Sequence, residues 1–66
     1  MKVGDSISIA VLEDALVDAS FTRVDFVYEP GQYSVRGGIV DVFSFSESKP
    51  YRIDFFGDEV DSIRRF

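Results

Sequence analysis

Glu29-Pro30-Gly31-Gln32-Tyr33-Ser34-Val35-Arg36-Gly37-Gly38-Ile39-Val40-Asp41-Val42-Phe43 is the stretch whose reading decides the fold. Proline presets φ for the first central position of a turn, and the glycine after it permits positive φ at the next, so residues 29–31 read as a turn. Tyr33 and Val35 then alternate with Ser34 and Arg36, the period-2 pattern of a strand. Gly37-Gly38 interrupts that pattern, as a bulge, a sharp bend or a close backbone approach does. Residues 39–45 are apolar on both faces apart from Asp41, which predicts a central strand.

Upstream, Ser8 is placed to cap a helix, because its hydroxyl can accept from an orphan backbone N–H. Ile7 before it and Leu12 after it are positioned as a hydrophobic staple. Ile9, Leu12, Leu16 and Ala19 fall at helical spacing, with Ala15 beside them, so a helix is predicted over residues 9–19. Asp18 near its C-terminal end opposes the helix dipole, and the helix must therefore depend on packing. Residues 1–7 read as a lead-in or a short strand. At residues 21–28 the period changes from 3.6 to 2, with Val24, Phe26 and Tyr28 on one side and Arg23, Asp25 and Val27 on the other.

Downstream, residues 44–50 form a polar turn, 51–56 a strand, 57–59 a tight turn and 60–66 a last strand. Val60, Ile63 and Phe66 do not keep period 2, and a bulge near Ser62 reconciles them. A helix followed by about four short strands joined by tight turns predicts an α+β fold: a small antiparallel sheet with the N-terminal helix packed on one face. The 66 residues make one domain, 1–66, and a chain that stops inside an apparent strand reads as a piece excised from a larger multidomain protein.

The expected pairing across the turn at residues 46–49 places Ile39, Phe43 and Phe45 with Tyr51, Ile53 and Phe55 as the core under the helix. The opposite face then carries Val40, Val42, Arg52, Asp54 and Phe56. Isolated surface apolar residues are ordinary. An apolar patch rimmed by arginine, however, is the usual anatomy of a protein–protein site. Arg36 shares the parity of Arg52, so Arg36, Arg52 and Phe56 are candidates for one surface, provided that the Gly37-Gly38 bulge does not flip Arg36 and that Arg36 does not pair with Asp58 or Glu59 within the domain.

Composition narrows the function classes. The chain carries 7 Phe and 3 Tyr but no cysteine and no histidine, so a disulfide framework or structural zinc site is not expected. A formal net charge of −5 repels phosphate backbones, which argues against direct DNA contact. No apolar run is long enough to span a bilayer, and Asp5 and Ser6 interrupt any signal-peptide core. The glycine pair lacks the lysine and hydroxyl of a phosphate loop. Asp58, Glu59 and Asp61 lack the spacing of a calcium loop, and Ser44, Ser46 and Ser48 have no histidine to activate them. No catalytic, cofactor-binding or metal-binding residue is expected here.

The opening stretch, and with it Tyr51-Arg52-Ile53-Asp54-Phe55-Phe56-Gly57-Asp58-Glu59-Val60-Asp61-Ser62-Ile63-Arg64, resembles the UvrA-interaction domain shared by the excision-repair helicase subunit UvrB and the bacterial transcription-repair coupling factor, Mfd. A helix followed by Phe21-Thr22-Arg23-Val24-Asp25 fits the same pattern, so the resemblance covers nearly the whole chain. Glu29-Pro30-Gly31 and Gly37-Gly38 are more typical of the Mfd branch. UvrB-type members usually carry an arginine where Ser34 stands and an acid where Gly38 stands, and the proline that follows Phe43 in many relatives is missing.

The resemblance implies a non-catalytic module that docks onto UvrA in transcription-coupled nucleotide excision repair, in the bacterial cytoplasm. It implies partner-binding roles for Arg36, Arg52 and Phe56, and a weaker one for Arg23. Ser34 in place of an arginine implies a thinner electrostatic contact. ATP, magnesium and DNA translocation are expected of other domains of a helicase-type parent, one of which could mask the UvrA surface. Two alternatives stand beside this reading: the equivalent domain of UvrB itself, and a single-stranded nucleic-acid contact module that uses Tyr and Phe as stacking platforms.

Overall fold

A computed structural model describes residues 2–66 as one helix and a five-stranded sheet. Helix α1 spans Ile9–Asp18, one residue shorter than expected. Ser8 is its N-cap, and its hydroxyl accepts from the Val11 N–H at 3.2 Å. Leu12 and Leu16 are the buried stripe of the helix, and Ile7 packs against the same core, as a staple requires.

The strands are β1 (Thr22–Arg23), β2 (Gln32–Arg36), β3 (Ile39–Phe43), β4 (Tyr51–Phe56) and β5 (Glu59–Arg65), and they lie in the sheet in that order. Every pair is antiparallel except β1 with β2, which run parallel. The count is five rather than about four. The lead-in adds to the sheet beyond β5: Val60 N–H donates to Asp5 C=O, Gly4 N–H to Val60 C=O, and Ser6 bridges Glu59. Of the expected lead-in over residues 1–7, Met1 lies outside the described residues.

Two expectations are corrected. The strand predicted over residues 21–28 is only two residues long. Val24 N–H still donates to Tyr33 C=O at 2.8 Å, but the chain then leaves the sheet, and Phe26 and Tyr28 are exposed. The Gln32 side-chain oxygen accepts from both the Tyr28 and Glu29 N–H groups, and these bonds hold the segment as a loop that doubles back towards β2.

The second correction concerns the faces of β3. Val40 pairs with Ile53 and Val42 with Tyr51, so the two valines lie on the core side and Ile39, Asp41 and Phe43 on the other. Period-2 alternation makes face assignment all-or-none, and a one-residue shift in register exchanges the faces. The observed register sets Asp41 opposite Arg52 and Val40 opposite Ile53. Both pairs are favourable, whereas the expected face assignment would have turned Asp41 away from Arg52.

The core is built from Leu12, Leu16, Tyr33, Val40, Ile53 and Val60. Tyr33 ties helix to sheet, because its hydroxyl donates to Glu13 Oε2 at 2.8 Å. Burial, and then this hydrogen bond to a carboxylate, raise the Tyr33 pKa above that of a free phenol. An apolar cleft of about 380 Å³ opens between the helix and strands β3 to β5, lined by Leu12, Leu16, Val42, Tyr51, Ile53 and Ile63. No helix among the described residues is long and apolar enough to cross a membrane.

The glycine pair is a hairpin turn rather than an interruption within one strand. Arg36 pairs with Ile39, which leaves Gly37 and Gly38 as the two loop residues. Gly37 takes φ 59°, the positive value that primed hairpin turns require at their first central position. Gly38 fits where a Cβ would meet Phe55 O at 3.1 Å, and its carbonyl accepts from the Phe55 N–H at 2.8 Å. The expected bulge near Ser62 is present: Asp54 pairs with Ser62 but Phe55 with Val60, so Asp61 is the extra residue.

Candidate partner-binding face

The sheet surface away from the helix is built by three cross-strand rows. Ser34, Asp41, Arg52 and Arg64 form one, and Arg36, Ile39, Asp54 and Ser62 the next. Gln32 and Phe43 begin the third. Register thus brings Arg36 and Arg52 to the same face as expected, but not by unbroken parity: numbering parity reverses between β2 and β3 and again between β3 and β4.

Asp41 is the centre of this face. It is only 2% exposed, and Arg36 and Arg52 both close on it. Arg36 Nη2–H donates to Asp41 Oδ2 at 2.7 Å. Arg52 donates from Nε to Oδ1 at 2.9 Å and from Nη2 to Oδ2 at 3.2 Å, a two-bonded grip on the carboxylate. Burial works against the charged carboxylate, but the hydrogen bonds from Arg52 and Arg36 outweigh it, and Asp41 is held below the usual carboxylate range. Arg36 pairs with Asp41, not with Asp58 or Glu59.

Each arginine also lies against an aromatic ring. The Arg36 guanidinium carbon sits 4.6 Å from the Phe26 ring centroid, and that of Arg52 4.6 Å from the Phe66 centroid. These are cation–π distances. Even so, the Arg36 and Arg52 side chains stay 40% and 33% exposed. Next to them Asp54 accepts from Ser62 at 2.7 Å and from Arg64 at 2.9 Å. Ser34, directly opposite Asp41, is buried, and its hydroxyl has no hydrogen-bond partner among the described residues.

Phe56 ends β4 on this same side of the alternation and is 82% exposed, the most exposed of the large apolar residues described. The structure therefore brings Arg36, Arg52 and Phe56 to one face. It does not bring Arg23 there. Arg23 pairs in register with Tyr33, on the helix side, and its Nη1 binds Glu13 Oε2 at 2.8 Å. Val40 and Val42, expected as the floor of this surface, face the core instead.

Sequence reasoning missed three contributors: Asp41, Phe26 and Phe66. Asp41 had a signal, because a lone carboxylate in an otherwise apolar strand must find cationic partners if it is buried. Phe26 and Phe66 had none, since each reaches its arginine from a loop or a chain end that no period describes. Chemically, the face offers guanidinium N–H donors beside an exposed phenyl ring, a combination suited to binding carboxylates and apolar side chains.

A family model described as "UvrB interaction domain" matches residues 1–66 of this chain. The chain is 44% identical to the transcription-repair-coupling factor of Escherichia coli and 42% identical to that of Bacillus subtilis, over 66 residues in each case. Those matches cover 100% of this chain and 6% of each of those proteins. It is also 45% identical over 65 residues to the UvrABC system protein B of Streptococcus uberis, covering 97% of this chain and 10% of that protein. Relatives of both names thus match nearly the full chain at similar identity, and the chain spans a tenth or less of their length.

Proposed function

This chain belongs to the UvrB interaction domain family, and we propose that it is a non-catalytic docking domain that binds UvrA through the face carrying Arg36, Arg52 and Phe56. The observation that carries the reading is the coexistence on one sheet face of two half-exposed, pre-oriented arginines and an exposed Phe56. Arginine and aromatic residues are the side chains in which binding energy concentrates at protein interfaces. Phe56, the most exposed of the large apolar residues described, is the natural insert for a partner's pocket.

The parent is proposed to be a transcription-repair coupling factor. Glu29-Pro30-Gly31 and the Gly37-Gly38 turn favour that branch over UvrB. ATP-driven translocation on DNA would then belong to other parts of the parent, with UvrA recruitment in the bacterial cytoplasm as the task of this domain, subject to masking by a neighbouring domain. A nucleic-acid role is disfavoured by the net charge of −5.

A pulldown of UvrA by the 66-residue chain tests the reading. Wild type retains UvrA, and Arg52→Ala and Phe56→Ala retain less. Equal retention by all three refutes it, and salt-sensitive binding of single-stranded DNA in a gel shift would support the nucleic-acid reading instead.

A further inference from the structure

We propose that Asp41 is the positioning residue of this face: a buried carboxylate that fixes Arg36 and Arg52 so that their remaining N–H donors meet a carboxylate-bearing partner surface. The proposal rests on the reading of the face as a UvrA site. A guanidinium carries five N–H donors. Arg36 commits one of them to Asp41 and Arg52 commits two, which leaves most of both forks unspent. Asp41 itself is too buried to touch a partner, so any effect it has on binding must pass through the arginines.

The geometry separates anchoring from masking. Phe26 and Phe66 each lie against one arginine, and Asp41 grips inward-turned donors, yet both side chains keep a third or more of their surface in water. Two cations on one buried anion also leave the cluster with a surplus positive charge on a chain of net charge −5. That surplus favours an acidic partner at this face of an otherwise acidic domain. Holding long side chains in place before binding removes an ordering cost that free arginines would meet on docking.

Asp41→Asn tests this directly. Asparagine is uncharged, and its amide N–H groups would face guanidinium donors where a carboxylate oxygen now accepts, so the ion pairs with both arginines and the two-bonded grip on Arg52 are lost. UvrA affinity is expected to fall by about tenfold or more. The loss should be much smaller when Asp41→Asn is added to Arg52→Ala, and fully retained when it is added to Phe56→Ala, because coupling runs through the arginine. In the free wild-type chain, the Arg52 Nε–H resonance should be resolved from those of the other arginines and slow to exchange, and in Asp41→Asn it should merge with them.

Wild-type affinity in Asp41→Asn, or equal losses in both backgrounds, overturns the positioning role while leaving the docking reading intact. Absence of UvrA binding by the wild type overturns both. Should Asp41→Asn fail to fold, the wild-type resonance decides: a protected Arg52 Nε–H supports the role, and fast exchange overturns it.

Discussion

Asp41 keeps a negative charge where water is excluded, and it can do so only because two guanidinium groups replace the lost hydration. The consequence is a pH dependence with a fixed sign. The folded-state pKa of Asp41 lies below its unfolded value, so its ionised form contributes stability that is fully present above about pH 3.9. That stability is lost as pH falls through the folded-state pKa. Urea unfolding followed from neutral pH into the acid range should show the loss, and Asp41→Asn should flatten the acid limb. Gly31 makes a second residue-scale prediction. It takes φ 87°, and a Cβ there would lie 2.6 Å from Phe45 Cε1. The Phe45 ring is exposed and can swing away, so the backbone strain dominates. Gly31→Ala should cost about 1 kcal/mol in chemical denaturation.

The elements form for reasons of different reach, and this decides which of them could be read in the sequence. Helix α1 was legible almost to the residue because its signals are local: Ser8 as cap, and Leu12 and Leu16 as stripe. Ser8→Ala should lower stability by about 1 kcal/mol, read from the unfolding midpoint. The β5 bulge was legible because Val60, Ile63 and Phe66 break period 2 locally. The faces of β3 were not, because residues 39–45 are apolar on both sides and only the pairing with β4 tells them apart. Asp41 was the one usable clue, and its requirement for Arg52 fixes the register. The short β1 was equally illegible. Its exit from the sheet is imposed by the Gln32 side chain bonding the backbone of residues 28 and 29, a contact no periodicity encodes. Between helix and sheet, the Tyr33 hydroxyl and Arg23 both bond Glu13, and the Tyr33 bond is the more enclosed of the two. Tyr33→Phe should cost about 1 kcal/mol in unfolding experiments and leave the arginine face intact, since Tyr33 points to the other side.

As a whole the molecule divides its labour between the two faces of one sheet. The helix side holds the apolar core, with Tyr33, Val40 and Val60 almost wholly enclosed. The far side alternates arginine with aspartate and ends in an exposed phenyl ring. Arg36 and Arg52 come to one surface, as expected from the sequence, because two parity reversals cancel: Arg36 pairs with Ile39 and Ile39 with Asp54, so even numbers in β2 and β4 share a face with odd numbers in β3. Their orientation by Asp41, Phe26 and Phe66 could not be read there, because it depends on segments distant in the chain. Phe56 supplies the cleanest separation of binding from folding, since it is 82% exposed and its loss should leave stability within about 0.5 kcal/mol of wild type. The most direct test of the docking account is therefore a titration of UvrA with wild type and Phe56→Ala, checked for equal thermal midpoints. Saturable binding by wild type, weakened about tenfold or more in Phe56→Ala at an unchanged midpoint, is the predicted result. Equal affinity of the two, or no binding by either, would contradict it.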